Sequence, residues 1–240
     1  MNTGAKPAVR NQVEAARALY ALGRYQEALD ALPSPGENVA EFYTMRGLCQ
    51  HALQHWEEAA EAFQKVLEVD LHRIHARVAL GACLLHMNRP EEALVHFDRC
   101  AWSQASDRAL FGKAVALQRL GRYRDAEATY LRVLASDPKN EEALSNLIAL
   151  YAETHDLEKL RRCASQLLEI VPDSLTALQG LAAATLEGRE YESAFRYCSR
   201  IVERSPQCVE AWHNLRLASG RVESTLRASA AASKSTAGRK

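Results

Sequence analysis

The sequence has no apolar run approaching the roughly 18–20 residues that a membrane-spanning helix needs. Its N-terminus, Met1-Asn2-Thr3-Gly4-Ala5-Lys6-Pro7, lacks the apolar core of a secretory signal. Charge of one sign is lacking too: 30 Lys and Arg stand against 30 Asp and Glu, a formal net charge of zero. Such a balance argues against a chain built mainly to hold nucleic acid. Aromatic residues supply only 7% of the chain. No Cys-x-x-Cys pair occurs, and the six cysteines, at 49, 83, 100, 163, 198 and 208, stand in no spacing typical of zinc. A disulfide framework does not suit so large a chain without a signal peptide, so reduced packing cysteines are expected. A Gly-rich phosphate loop, a Gly-x-Ser-x-Gly elbow and a His-Glu-x-x-His pair are all missing. Together these absences predict a soluble, unexported, cytoplasmic protein that is not an enzyme and takes no cofactor or metal.

What is present is alanine and periodicity. Of 240 residues, 41 are alanine, which favours closely packed helices over a β-sandwich. Pro138, Pro172 and Pro206 lie 34 residues apart, as do Leu144, Leu178 and Trp212, and Leu147, Leu181 and Leu215. The same interval separates Tyr123, Leu157 and Tyr191 and, earlier, Gly47 from Gly81, Cys49 from Cys83, Ala59 from Ala93 and Phe63 from Phe97. A fixed period shared by unrelated residue types marks a repeat architecture. Within one period, Leu110, Ala114 and Leu117 space a helical stripe that Gly121 ends, since glycine takes the left-handed cap conformation freely. Tyr123, Ala126, Tyr130 and Val133 form a second stripe, which Asp137-Pro138 stops.

These segments resemble the tetratricopeptide repeat (TPR) family: Leu80-Gly81…Ala93-x-x-x-Phe97, then Gly121-x-Tyr123-x-x-Ala126-x-x-x-Tyr130…Pro138, then Tyr191-x-x-Ala194…Pro206. The resemblance implies an all-α solenoid, a right-handed superhelix of about six helix-turn-helix repeats with a C-terminal capping helix. The expected division is an N-terminal extension at 1–8, repeats at 9–39, 40–73, 74–106, 107–140, 141–174 and 175–208, a capping helix at 209–222, and a flexible Ala/Ser-rich basic tail at 223–240. Alanines at the helix crossings (Ala28, Ala59, Ala93, Ala126, Ala194) allow close approach. Three departures stand out. Pro33-Ser34-Pro35-Gly36 shortens repeat one, Arg46 and Gln50 occupy usual Leu and aromatic positions, and Leu160 takes the place of the small alanine. The last is expected to push its two helices apart.

The family's concave groove is lined from the first helix of each repeat, at positions 2, 5, 6, 9, 12 and 13. Carried onto this chain, those positions give His75, Val78, Ala79, Ala82, Leu85 and His86, then Arg108, Phe111, Gly112, Val115 and Arg119, with Asn146 toward the C-terminal end. Phe111 is expected as the aromatic anchor, with Gly112 leaving room for a ligand and Arg108 holding a polar group at its edge. TPR co-chaperones that clamp acidic tails use lysines, arginines and asparagines at positions 2, 5, 6 and 9. Here the first two repeats offer Arg10, Val13, Glu14 and Arg17, then Glu41, Thr44, Met45 and Leu48, so a carboxylate clamp is not expected.

Histidine pairs invite a metal reading and do not sustain it. His51 and His55 stand one helical turn apart but have no third ligand, and the same holds for His72 with His75. Cys83 and His86 lack an orienting group for nucleophilic chemistry. The basic tail, with Arg227, Lys234, Arg239 and Lys240, is too sparse for a nucleic-acid arm. The expected function is therefore a protein-binding scaffold: a non-enzymatic adaptor that holds an apolar or helical partner segment in the groove and assists complex assembly. The alternative is a regulatory or substrate-docking subunit acting in trans on an enzyme.

Overall fold

The structure, a computed structural model, describes residues 5–32, 38–100 and 106–237. Helices are the only regular secondary structure among them. They fall into two compact units, residues 1–133 and 134–240, with the boundary in the last turn of α8.

The first unit holds α1 (Ala5–Ala21), α2 (Tyr25–Ala31), α3 (Val39–Ala52), α4 (Trp56–Val69), α5 (Ile74–His86), α6 (Pro90–Asp98), α7 (Ser106–Arg119) and most of α8 (Tyr123–Ser136). Helix α1 begins inside the stretch read as an extension. Helix α2 is the shortest of these elements, and Pro33–Gly36 beyond it lie outside the described residues. Each intra-repeat turn carries one residue in the left-handed region: Gly23, Gln54, Asn88 and Gly121 in this unit. Only glycine takes that conformation without cost, so Gly121 fits its turn better than Gln54 fits its own.

Glycine and phenylalanine lock the helix pairs together. A Cβ added at Gly47 would lie 2.8 Å from the Phe63 ring, and one at Gly81 would lie 2.7 Å from Phe97. Both rings are fully buried, as are the crossing alanines Ala59, Ala93 and Ala126. Two repeat positions that are usually apolar hold polar groups instead. Arg77 is buried and donates from Nη2 to the Leu71 carbonyl oxygen at 2.6 Å, which satisfies part of its guanidinium. Gln50 is buried with its Oε1 unpartnered.

The second unit holds α9 (Glu141–Glu153), α10 (Leu157–Ile170), α11 (Leu175–Glu187), α12 (Tyr191–Arg204) and α13 (Val209–Ala237). Asn140, Asp156 and Ser174 cap α9, α10 and α11 by accepting a backbone N–H three residues on. The 34-residue period recurs in hydrogen bonds: Gln166 Nε2 donates to the Pro138 carbonyl oxygen, and Arg200 Nη2 donates to that of Pro172. Leu160 does not require its helices to part. It is fully buried, the position that holds Phe in other repeats is Ala164, and Gly180 removes the Cβ that would sit 3.3 Å from Leu160. Large-for-small at one site is offset by small-for-large at two others. The C-terminal helix also differs from expectation. It continues through 222 to Ala237, because the Ala- and Ser-rich sequence beyond Gly220 contains no proline to stop it.

All six cysteines are free thiols, five buried and Cys208 half-buried. Burial pushes the Cys83 thiol up to about 12 and Cys49 to about 11, so neither is a nucleophile at neutral pH. Adding a reductant is therefore expected to leave the thermal midpoint within about 1–2 °C, far less than loss of a structural disulfide would cost. Differential scanning calorimetry with and without reductant checks this, and an intact intramolecular disulfide in natively purified protein would contradict it.

Candidate functional site

A groove of about 560 Å³ opens in the first unit along α3, α5 and the start of α7. Its lining is mostly apolar: Leu48 from α3, Phe63 from α4, and Val78, Ala79 and Ala82 from α5. Alternation of buried Leu80, Cys83 and Leu84 with half-buried Val78, Ala79 and Ala82 gives α5 two apolar faces, one for the core and one for the groove. The polar groups are His51, His75, Asp107 and Arg108. Asp107 and Arg108, at the start of α7, bring one charge of each sign to the groove's edge.

Five sequence-derived residues thus meet in one place: His75, Val78, Ala79, Ala82 and Arg108. The others fall elsewhere, for identifiable reasons. Gly112 offers no room to a ligand. The space left by its missing side chain is taken by the Phe97 ring, which a Cβ at 112 would overlap. Phe111 is half-buried and turns its ring to Tyr130, with centroids 6.0 Å apart, so it belongs to the packing of α7 on α8. Leu85 is buried in the core, and Val115 does not line this groove. Arg119 donates from Nη1 to the Leu85 carbonyl oxygen at the C-terminal end of α5, where a cation is favoured. Asn146 is half-buried on α9 in the second unit and is not part of this groove.

His86 makes a different contact from the one expected. Its ring stacks on Trp56 with centroids 3.9 Å apart and planes 7° from parallel, while His51 meets Trp56 edge-on at 5.0 Å. His51 therefore stands against His86, 6.1 Å away, and not with His55 as a ligand pair. Among the described residues no three His, Cys, Asp or Glu side chains cluster to hold a metal. Leu48 lines the groove from the repeat position that Ala82 occupies in α5, whereas His51, at the position of Leu85, and Phe63 and Asp107 were missed as lining residues.

Both rings are held below the usual histidine range. Burial is the main cause for each, followed by the charge of His86 for His51 and of Arg119 for His86. His96, on α6, is lowered in the same direction by burial and then by Arg77 and Arg99, and its Nδ1 is buried without a partner. The unfolded chain takes up these protons near pH 6.5, before the folded chain does. The stability these groups contribute is complete above that pH and declines as pH falls below it. Thermal melts are expected to show a lower midpoint at pH 5 than at pH 7.5, with part of the difference removed by His96→Phe. A flat or rising midpoint on acidification would refute this.

Three family models, each described as tetratricopeptide repeat, match residues 12–32, 36–101 and 111–159, together more than half of the chain. The chain is a tetratricopeptide repeat protein. Solved structures with this TPR fold are similar over most of its length. The crystal structure of PilW, a type IV pilus biogenesis factor, superposes with a TM-score of 0.75 at 18% identity, covering 90% of this chain and 99% of that one. PilF of Pseudomonas aeruginosa gives 0.73 at 12% identity, covering 88% and 98%. YrrB, described as a TPR protein with an unusual peptide-binding site, gives 0.61 at 22% identity, covering 73% and 92%. At these identities the likeness establishes the fold alone. TPR domains generally mediate protein–protein interaction, and no helix among the described residues is long and apolar enough to cross a membrane.

Proposed function

We propose that this TPR protein is a non-enzymatic adaptor whose first unit holds an apolar or helical segment of a protein partner in the groove along α3 and α5. The observation that carries this reading is the groove itself. Three small or branched apolar side chains of α5 lie half-exposed in a row, with Arg108 at the groove's edge. A half-exposed apolar trough gains affinity by burial, at about 25 cal/mol per Å² before ordering costs. The row Val78, Ala79, Ala82 presents little bulk, which suits an incoming helix that supplies the large side chains itself. Arg108 then pairs with an acidic side chain or a helix C-terminus at the segment's edge.

Assistance to complex assembly is the role we assign, in keeping with the biogenesis function that PilW's description gives that protein. Six free thiols support action in a reducing compartment, the cytoplasm. Panning a phage-displayed random peptide library against the whole protein tests the reading. Selected peptides should be rich in Leu, Ile or Phe with an acidic residue, and should compete with one another for a single site. Failure to select any peptide, or selection of peptides whose binding survives substitution of the groove, would overturn it.

A further inference from the structure

Three aromatic rings from three consecutive helices meet at the C-terminal end of α3. His51 stands in the last turn of α3, Trp56 opens α4 and His86 ends α5. His86 lies flat on the indole, whereas His51 meets the indole edge-on, its plane 79° away. Of the three, only His51 also lines the groove along α3 and α5. Its half-buried imidazole therefore belongs to two settings at once, the ring cluster and the wall beside a docked segment.

The charge felt at His51 is that of His86, 6.1 Å away, and behind His86 stands Arg119, held on the Leu85 carbonyl oxygen. Carboxylates on the surrounding helices are engaged or displaced. On α1, Glu14 pairs with Arg17, which also holds Glu41 in the first turn of α3, ten residues before His51. On α2, Glu27 pairs with Arg24, and Asp30 accepts from Gln26. Glu57 and Glu58 are exposed in the first turn of α4, with Glu61 and the Lys65–Glu68 pair further along it. On α5, His75 is exposed at the far end and Arg77 is buried on the Leu71 carbonyl oxygen. Asp107 stands next to Arg108 at the start of α7. A positive charge at His51 thus meets like charge from the next repeat.

We propose, on the reading of this groove as the partner's site, that acid releases the segment from it, with His51 as the group that takes up the proton. In the free protein a charged His51 keeps the hydration that the open groove supplies. A docked apolar segment removes that water and leaves an imidazolium between apolar side chains and another cation, where it is least favoured. Burial already holds His51 below the usual histidine range, and docking lowers it further. Binding is therefore complete at neutral pH and weakens once pH falls below the free protein's value for His51. His86 sets where that fall begins, because without its charge His51 takes up its proton at higher pH.

Titration calorimetry of the full chain with a library-selected peptide that lacks histidine tests this at pH 7.5 and about 5.5, both above the carboxylate range. The Kd should be about three- to tenfold weaker at the lower pH, where one pH unit below the midpoint allows at most about tenfold. His51→Gln should abolish the difference, His75→Gln should keep it although His75 also lines the groove, and His86→Gln should move its onset to higher pH. In the wild type, the titration midpoint of the His51 Cε1–H signal should fall when the peptide is added. Equal affinity at both pH values, a difference that survives His51→Gln, or a midpoint that the peptide leaves unmoved overturns the inference, and the groove reading stands if the peptide still shifts the groove amides. A peptide that shifts amides only away from the groove removes that reading, and this inference with it.

Discussion

Replacing Phe97 with alanine is expected to cost about 3–5 kcal/mol, felt in the packing of neighbouring repeats. The ring is almost fully buried, and it fills the space that two glycines leave, Gly81 on α5 and Gly112 on α7. Removing it opens a cavity lined on two sides by backbone, which cannot collapse by a change of rotamer. Filling the same space from the other side should also destabilise. Gly112→Ala sets a Cβ against the ring and should cost about 1–3 kcal/mol as overpacking, offset by the roughly 1 kcal/mol that alanine gains over glycine in a helix. Urea titrations followed by circular dichroism measure both. A loss below about 1 kcal/mol for Phe97→Ala would mean that α5, α6 and α7 do not meet around this ring.

Ala79→Glu should abolish partner binding while leaving the fold intact. The residue is half-buried on the apolar side of the groove, where a carboxylate can still reach water in the free protein but is covered once a segment docks. The expected loss is at least about 2 kcal/mol, close to thirtyfold in Kd. Arg108→Glu, at the rim, should act mainly on the electrostatic part, with a smaller loss that shrinks as salt is raised. Titration calorimetry with a library-selected peptide, beside thermal melts of each variant, separates lost binding from lost folding. Unchanged affinity in both variants would remove this groove from the account.

Much of the architecture was legible because it is periodic. The glycines, alanines and prolines that recur at the repeat interval mark turns and crossings, and sequence spacing reports such features directly. The groove was half legible. Repeat position alone brought His75, Val78, Ala79, Ala82 and Arg108 to one groove, since all depend only on which side of α5 or α7 faces out. It failed where a neighbouring helix decides. Gly112 looks open along its own helix, but its vacancy is filled from α6, a contact that no pattern within α7 records. Phe111 and Arg119 were drawn away by partners on other elements, the Tyr130 ring and the Leu85 carbonyl. Leu160 likewise looked disruptive alone, because its compensation by Ala164 and Gly180 is shared between two helices.

The central claim, that a partner segment lies in the groove along α3 and α5, is tested most directly by amide shift mapping. Uniformly ¹⁵N-labelled protein would be titrated with a library-selected peptide and its backbone amides followed residue by residue. The account predicts that the largest changes gather at Leu48, His51, Val78, Ala79, Ala82 and Arg108, with small changes on the outer faces of α4 and α6. Changes gathered instead on those outer faces, or along α13, with the groove amides unmoved, would contradict it.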